Sequence, residues 1–337
     1  MPLSIAVVGA TGAVGEAMLE ILASREFPAD EVIALASERS EGKRLAFGDK
    51  YLKVERLDSF DFSRVQIALF SAGGSISAEF APKAWAQGAV VIDNTSHFRY
   101  DDDIPLVVPE VNAHEIPRFR NRGIIANPNC STIQMVVALK PIYDAVGISR
   151  INVATYQAVS GAGNRGVQEL AGQTAALLGG NEAEISLHPK RIAFNVIPQI
   201  DKFEDNGYTR EEMKMIWETQ KIFADDNLLV NPTCVRVPVF YGHSEAVNLE
   251  TEAKITADMA RRLLLQSPGI NVVDDFKTLT YPTPAIEAVG SDLVHVGRIR
   301  EDLSLNLGLN LWIVADNVRK GAALNSVQIA ELLLKEL

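Results

Sequence analysis

The stretch Leu3-Ser4-Ile5-Ala6-Val7-Val8-Gly9-Ala10-Thr11-Gly12-Ala13-Val14-Gly15-Glu16 decides the fold class. A short apolar strand runs into glycines at 9, 12 and 15, and helical spacing follows from Glu16 to Ala23. Glycine permits the tight turn and lets backbone N–H groups close on a pyrophosphate at a helix N-terminus. A glycine pattern alone is weak. The strand before it and the helix after it make it a dinucleotide-binding signal rather than a bare strand–helix turn.

Further buried-strand runs are Val32 to Ala36, Val65 to Phe70, Ala89 to Asp93 and Gly123 to Ala126, with a helix at Ala78 to Gln87. Short apolar strands alternating with helices predict an α/β, doubly wound (Rossmann-like) parallel sheet. The texture changes after Cys130. A helix over Thr132 to Ala145 precedes strands at Ile151–Val159, Thr233–Val239, Ala246–Ile255, Val294–Arg300 and Leu309–Ala315. Helices fall near Gly166–Leu178, Glu211–Phe223 and Asp258–Gln266. This predicts an α+β catalytic and dimerisation domain, its mixed sheet covered by helices on one side and open on the other for a partner subunit. The last helix, Val318–Leu337, is expected to pack on the first domain. The division is therefore 1–128 plus 315–337 for nucleotide binding and 129–314 for catalysis.

The 337 residues carry a net charge of −11, which argues against nucleic acid. They contain no apolar run of membrane-spanning length and begin too close to the first strand for a signal peptide. Cys130 and Cys234 are the only cysteines and are read as reduced, which with the missing leader places the chain in the cytoplasm. Five scattered histidines show no metal-binding spacing, so no metal is expected.

The chemistry centres on Asn127-Pro128-Asn129-Cys130-Ser131-Thr132. A thiol at the start of a helix faces backbone N–H groups and the positive end of the dipole, which favour a nucleophilic thiolate. With a nicotinamide-type loop in the same chain, that points to aldehyde oxidation through a thioester. At the end of the second strand, Arg39 offers a planar donor fork and Ser37 and Ser40 offer hydroxyls, which suits the 2′-phosphate of NADP. Glu38 keeps a ribose diol, or an ion pair with Arg39, open as the alternative. Gln157, near a strand end before Ser160-Gly161-Ala162-Gly163, suits orientation of a substrate carbonyl. Glu211 and Lys214 share a helix face and fit either a substrate ammonium and an anion or a plain surface ion pair. Arg236, inside an apolar strand, fits a substrate carboxylate. His243, after Gly242, suits acceptance of the thiol proton, since imidazole titrates near neutrality. Arg99 lies just after a strand, at the edge where such sheets bind ligands.

Pro128-Asn129-Cys130-Ser131-Thr132, with Gln157 and the Arg236/His243 pair, resembles the NADP-dependent bacterial aspartate-β-semialdehyde dehydrogenases, from Gly9 to Ala315-Asp316-Asn317-Val318-Arg319-Lys320-Gly321 and beyond. The resemblance implies Cys130 as nucleophile, His243 as acid–base group and Gln157 orienting the acyl group. It implies Arg236 as carboxylate clamp and Glu211 facing the substrate ammonium. Arg99, Asn129 and Lys214 fall at phosphate positions. Gly9, Thr11, Gly12, Ala13, Val14, Arg39, Ser40, Ser160, Gly161 and Asn317 fall at cofactor positions. It further implies a homodimer, in some members a tetramer, and interconversion of L-aspartate 4-semialdehyde plus phosphate with L-4-aspartyl phosphate, a step toward lysine, threonine, methionine and diaminopimelate. The rival readings are an N-acetyl-γ-glutamyl-phosphate reductase and a non-catalytic nucleotide-binding relative. A short-chain dehydrogenase is excluded because no Tyr-x-x-x-Lys occurs.

Overall fold

A computed structural model describes residues 2–337. The chain divides into two units, one running up to Pro128 and resuming at Ala322–Leu337, the other Asn129–Gly321. Residues 315–321, grouped from the sequence with the nucleotide domain, cluster with the second unit.

In the first unit the elements are β1 (Ser4–Val8), α1 (Ala13–Ser24), β2 (Glu31–Ala36), β3 (Arg44–Phe47), β4 (Lys50–Lys53), β5 (Glu55–Arg56), β6 (Ile67–Phe70), α2 (Gly74–Ala86), β7 (Val90–Asp93), α3 (Pro109–Asn112) and β8 (Ile124–Ala126). Strands β5-β2-β1-β6-β7-β8 form one sheet, every pairing parallel, and β3-β4 form a separate antiparallel ribbon. β1, β6 and β7 are buried throughout, which is why they read as unbroken apolar runs. The strand order reverses at β1, so the glycine loop after it opens at the switch point of a doubly wound sheet. Gly9 has φ +85, and a Cβ there would lie 2.9 Å from the Ala72 backbone. Gly15 packs still more tightly: a Cβ would stand 2.2 Å from Gly9 O.

The second unit holds α4 (Cys130–Val146), β9 (Ile148–Gln157), α5 (Asn164–Leu178), α6 (Arg210–Phe223), β10 (Leu229–Arg236), β11 (His243–Thr251), α7 (Ala257–Leu265), β12 (Ile270–Val272), β13 (Val294–Glu301) and β14 (Gly308–Ala315). Its sheet, β10-β9-β11-β14-β13-β12, is mixed: the outer pairs are parallel and the inner ones antiparallel. β10 begins at Leu229, upstream of the strand expected from Thr233. Pro232 inside it is tolerated because β10 is an edge strand, where a missing N–H costs no ladder bond. β11 likewise begins early, so His243 opens a strand instead of hanging off the end of one. α4 packs on β9, β11, β14 and β13. Tyr156, Trp312, Ala246 and Asn248 remain partly exposed on β9, β11 and β14.

The chain then enters α8 (Leu324–Leu333), shorter than the helix expected over 318–337. The Asp316 carboxylate accepts from Val318 N and Arg319 N, and Gly321 N donates to Asp316 O, an i→i−5 bond of the π-helical turn Arg319–Ala323 that runs directly into α8. Leu324, Val327, Ala330 and Leu333 join Met18, Leu22, Ile5 and Ile92 in the core of the first unit. Arg25 pairs with Glu331 through two hydrogen bonds of 2.7 and 2.9 Å, fastening α1 to α8. Among the described residues no helix is long and apolar enough to cross a membrane.

Gly15→Ala should destabilise the first unit by about 1–3 kcal/mol, because the added methyl strikes backbone that cannot move aside. Thermal unfolding followed by circular dichroism checks this; an unchanged melting temperature would show that the loop is not tightly packed on α1.

Candidate active site

Cys130 is the first residue of α4. The helix is capped by Asn129, whose Oδ1 accepts from Ser131 N at 3.0 Å and Thr132 N at 3.3 Å. The cap is itself held at both ends. Asn129 N donates to Glu218 Oε2 at 2.6 Å, and Asn129 Nδ2 donates to Glu211 Oε1 at 2.9 Å. The sulfur therefore sits at a helix start whose position is fixed by two carboxylates of α6, and the helix dipole favours negative charge there.

Glu211 is the hub. Its Oε1 also accepts from Gln157 Nε2 at 3.1 Å, and its Oε2 pairs with Lys214 Nζ at 3.1 Å. Burial pushes this carboxyl up, but the Lys214 charge and the hydrogen bonds from Asn129, Gln157 and Lys214 hold it at about 2. Lys214 is also bonded to Asp201 Oδ2 at 2.9 Å, and both carboxylates keep it charged against its burial. The i, i+3 pair is thus no surface ion pair: Glu211 is 5% exposed.

Arg236 and Gln157 are paired neighbours across β10 and β9, and His243 begins β11 on the other side of β9. Arg236 Nη1 donates to Ala158 O at 2.7 Å. Burial disfavours its charge, opposed chiefly by the negative charge of Glu211. Gly161 lies against both Arg236 and His243: a Cβ there would be 2.8 Å from Arg236 Nη1 and 3.4 Å from His243 Nε2. Gly321 abuts Cys130: a Cβ there would stand only 2.9 Å from Cys130 Cβ.

His243 differs from its sequence reading. Its Nδ1 accepts the Ala158 backbone N–H at 3.0 Å, so the neutral ring carries its proton on Nε2. Nε2 is buried and has no hydrogen-bond partner. Burial, seconded by the Arg236 charge, holds the ring down at about 3. At neutral pH this imidazole is a hydrogen-bond donor. Its charge is disfavoured in this fold by burial and by Arg236.

Ser160 and Asn317 are bonded to each other, and Asn317 Oδ1 accepts from Gly242 N at 2.9 Å, fixing the turn that precedes His243. Cys234 is buried and unpaired with Cys130. Four residues of this neighbourhood escaped the sequence reading: Glu218, Asp201, Thr155 and Glu245. Glu218 was findable, since it lies seven positions after Glu211 on the buried face of α6, where a second acid needs a reason. Glu245 is fully buried, with neither carboxyl oxygen hydrogen-bonded. Burial pushes it well above the usual carboxylate range, opposed only by Gln134.

In the first unit Gly9, Thr11, Gly12, Ala13 and Val14 form the turn into α1, with Gly12 as its cap residue. Ser37, Glu38 and Arg39 are exposed and Ser40 is buried. Glu38 pairs with Arg56 Nη1 at 3.1 Å, and Arg39 beside it is exposed. Arg99 is buried in the same unit and donates Nη2 to Asn94 O at 3.0 Å. Its neighbour Asp93 accepts from Ser77 Oγ and from Thr95 N and Oγ1, which shapes the turn after β7.

Residues 4–118 match the family description "Semialdehyde dehydrogenase, NAD binding domain" and residues 139–320 match "Semialdehyde dehydrogenase, dimerisation domain". The chain is 64% identical to aspartate-semialdehyde dehydrogenase 2 of Vibrio cholerae, covering 99% of this chain and 98% of that one. It is 62% identical to the aspartate-semialdehyde dehydrogenase of Legionella pneumophila, covering 99% and 96%. A crystal structure of aspartate semialdehyde dehydrogenase II from Vibrio cholerae, complexed with ASA, superposes with a TM-score of 0.97 at 63% identity over 99% of both chains.

Glu245 is protonated in the fold at pH values where the unfolded chain would release that proton. Its contribution to stability is therefore complete below the unfolded carboxylate range and declines as pH rises toward the folded value. Glu245→Gln should raise the melting temperature at pH 8 by roughly 2–4 °C for each kcal/mol relieved, with the gain vanishing near pH 4. Melting curves across that range check it; a gain that grew on acidification would show that the buried acid is charged.

Proposed function

The chain belongs to the aspartate-semialdehyde dehydrogenase family, and from that premise we propose that it interconverts L-aspartate 4-semialdehyde, phosphate and NADP with L-4-aspartyl phosphate and NADPH through a thioester on Cys130, in amino-acid biosynthesis. The observation that carries this is the constellation in the second unit. Cys130 stands at the start of α4, with an ionised Glu211 tying its cap to Gln157 and Lys214, and Arg236 alongside.

The nucleotide requirements fit the first unit. A Cβ would fill the cradle at Gly9 and Gly15, and the exposed Arg39 fork suits a 2′-phosphate. Gly9 to Val14 would hold the pyrophosphate, and Ser37, Arg39 and Ser40 the phosphorylated ribose. Ser160, Gly161 and Asn317 remain assigned to the cofactor on the same reading. Bound nicotinamide nucleotide supplies or accepts the hydride.

Everything else falls to side chains. In the oxidative direction Cys130 sulfur bonds to the aldehyde carbon and the carbonyl pair moves to oxygen. The second N–H of Gln157 and the Nε2–H of His243 are the donors for that oxyanion. Loss of hydride from the same carbon leaves a thioester. A phosphate oxygen then bonds to the acyl carbon, the C–S bond breaks, and thiolate and acyl phosphate separate. Lys214, Asn129 and Arg99 supply the phosphate contacts of this reading. Arg236 takes the substrate carboxylate by its planar fork, and Glu211 takes the ammonium. An N-acetylated substrate would leave the Glu211 charge facing a neutral amide, a costly burial. The partly exposed face bearing Tyr156 and Trp312 is the proposed subunit contact of a homodimer, consistent with the dimerisation match.

Cys130→Ala should lower turnover of L-aspartate semialdehyde by roughly a thousandfold or more while NADP still binds. Phosphate-dependent NADPH formation by that variant would remove covalent catalysis. Arg39→Leu should weaken NADP about tenfold or more relative to NAD, measured by fluorescence titration of both reduced nucleotides. Equal losses would refute 2′-phosphate recognition. Offering N-acetylglutamate semialdehyde in the same assay separates the rival substrate.

A further inference from the structure

Beneath the row Arg236–Gln157–His243 lies a second row of buried polar residues on the same face of the sheet. Cys234 of β10 pairs with Thr155 of β9, and Thr155 pairs with Glu245 of β11. Side chains two residues apart on a strand share a face, so Thr155 stands directly below Gln157. Thr155 is fully buried, and its Oγ1 donates to Gln157 Oε1 at 2.9 Å.

The orientation of an amide is fixed by what its two ends meet. Gln157 meets Glu211 on one side, and an ionised carboxylate only accepts, so the Nε2 end must face it. The oxygen end then needs a donor, and the one on that side is the Thr155 hydroxyl. A threonine has a single hydroxyl proton, and here it is committed to Gln157. The Cys234 thiol also lies against this hydroxyl but stays protonated, because burial and the charge of Glu211 push it up. It does not compete for that proton as a thiolate would.

We propose that Thr155 is a positioning residue: its hydroxyl locks the Gln157 amide with Nε2 toward Glu211 and leaves the second N–H for the reacting carbonyl oxygen. The inference rests on the thioester reading above and adds a residue that never touches substrate. Without the hydroxyl, Gln157 Oε1 is a buried acceptor with no partner, and the amide gains freedom to turn away from the position the oxyanion needs.

The test compares Thr155→Val, which keeps the shape and removes the hydroxyl, with Thr155→Ser, which keeps the hydroxyl. Rates are normalised to competent Cys130 thiols, counted by the burst of NADPH released on thioester formation without phosphate, so unfolded protein does not enter kcat. Thr155→Val should lose roughly tenfold in kcat with KM for the semialdehyde changed by less than about twofold, and Thr155→Ser should stay within about threefold of the parent. In a Gln157→Ala background, Thr155→Val should cost nothing further. Thr155→Ala replaces the valine variant if that protein does not accumulate. Parental kcat per thiol in Thr155→Val overturns the proposal, even with a lowered melting temperature. So does a serine variant as slow as the valine one, or a full additional loss without Gln157. An unsubstituted protein inactive on the semialdehyde would defeat the thioester reading itself, whereas an active parent with an equally active Thr155→Val defeats only this inference.

Discussion

One buried negative charge organises the second unit. An ionised carboxylate taken out of water costs several kcal/mol unless it is paired and hydrogen-bonded. Glu211 satisfies that requirement with Lys214, Asn129 and Gln157, and Lys214 is in turn tied to Asp201. Each partner fixes a different piece of the site. Asn129 places the cap of α4 and so the sulfur beside it; Gln157 is held by its amide on β9; Lys214 is kept as a buried cation on α6. Removing this charge would loosen three elements at once, α4, α6 and β9.

The two units use opposite solutions to placing chemistry. In the first, a parallel sheet buried on both faces ends at a loop whose glycines bring backbone close to a ligand, and few side chains are needed. In the second, a mixed sheet uses register. Two rows of polar residues run across β10, β9 and β11, one holding Arg236 and Gln157 and the other Cys234, Thr155 and Glu245. Such rows exist only because adjacent strands lock their residues opposite each other. Buried polar groups in that setting are costly when partnerless, and Thr155, Glu218 and Asn317 each satisfy a neighbour.

His243 shows how the environment overrides a side chain's ordinary character. The residue type suggests titration near neutrality. Complete burial, the Arg236 charge and a backbone N–H on Nδ1 leave it neutral with Nε2 as donor. The orientation of the ring is set by the Ala158 amide.

The sequence alone determined the parallel sheet, the mixed second sheet and the thiol at a helix start. Apolar runs, glycine spacing and the Asn129-Cys130-Ser131 context are local signals, legible because each depends on neighbours within a few residues. The family-specific residues Gln157, Glu211, Arg236 and His243 were legible as types in order along the chain. Strand limits at β10 and β11 were not, because an edge position tolerates Pro232 and pairing extends β11 back to His243. Nor were Thr155 and Glu218, whose meaning lies in partners 2 and 89 positions away, or Glu245, whose meaning lies in its complete burial. Tertiary structure alone decided the charge on Glu211, the tautomer of His243 and the pairing of Glu38 with Arg56. Those are set by burial and by groups brought together from distant segments, and no spacing along a chain encodes a dielectric environment.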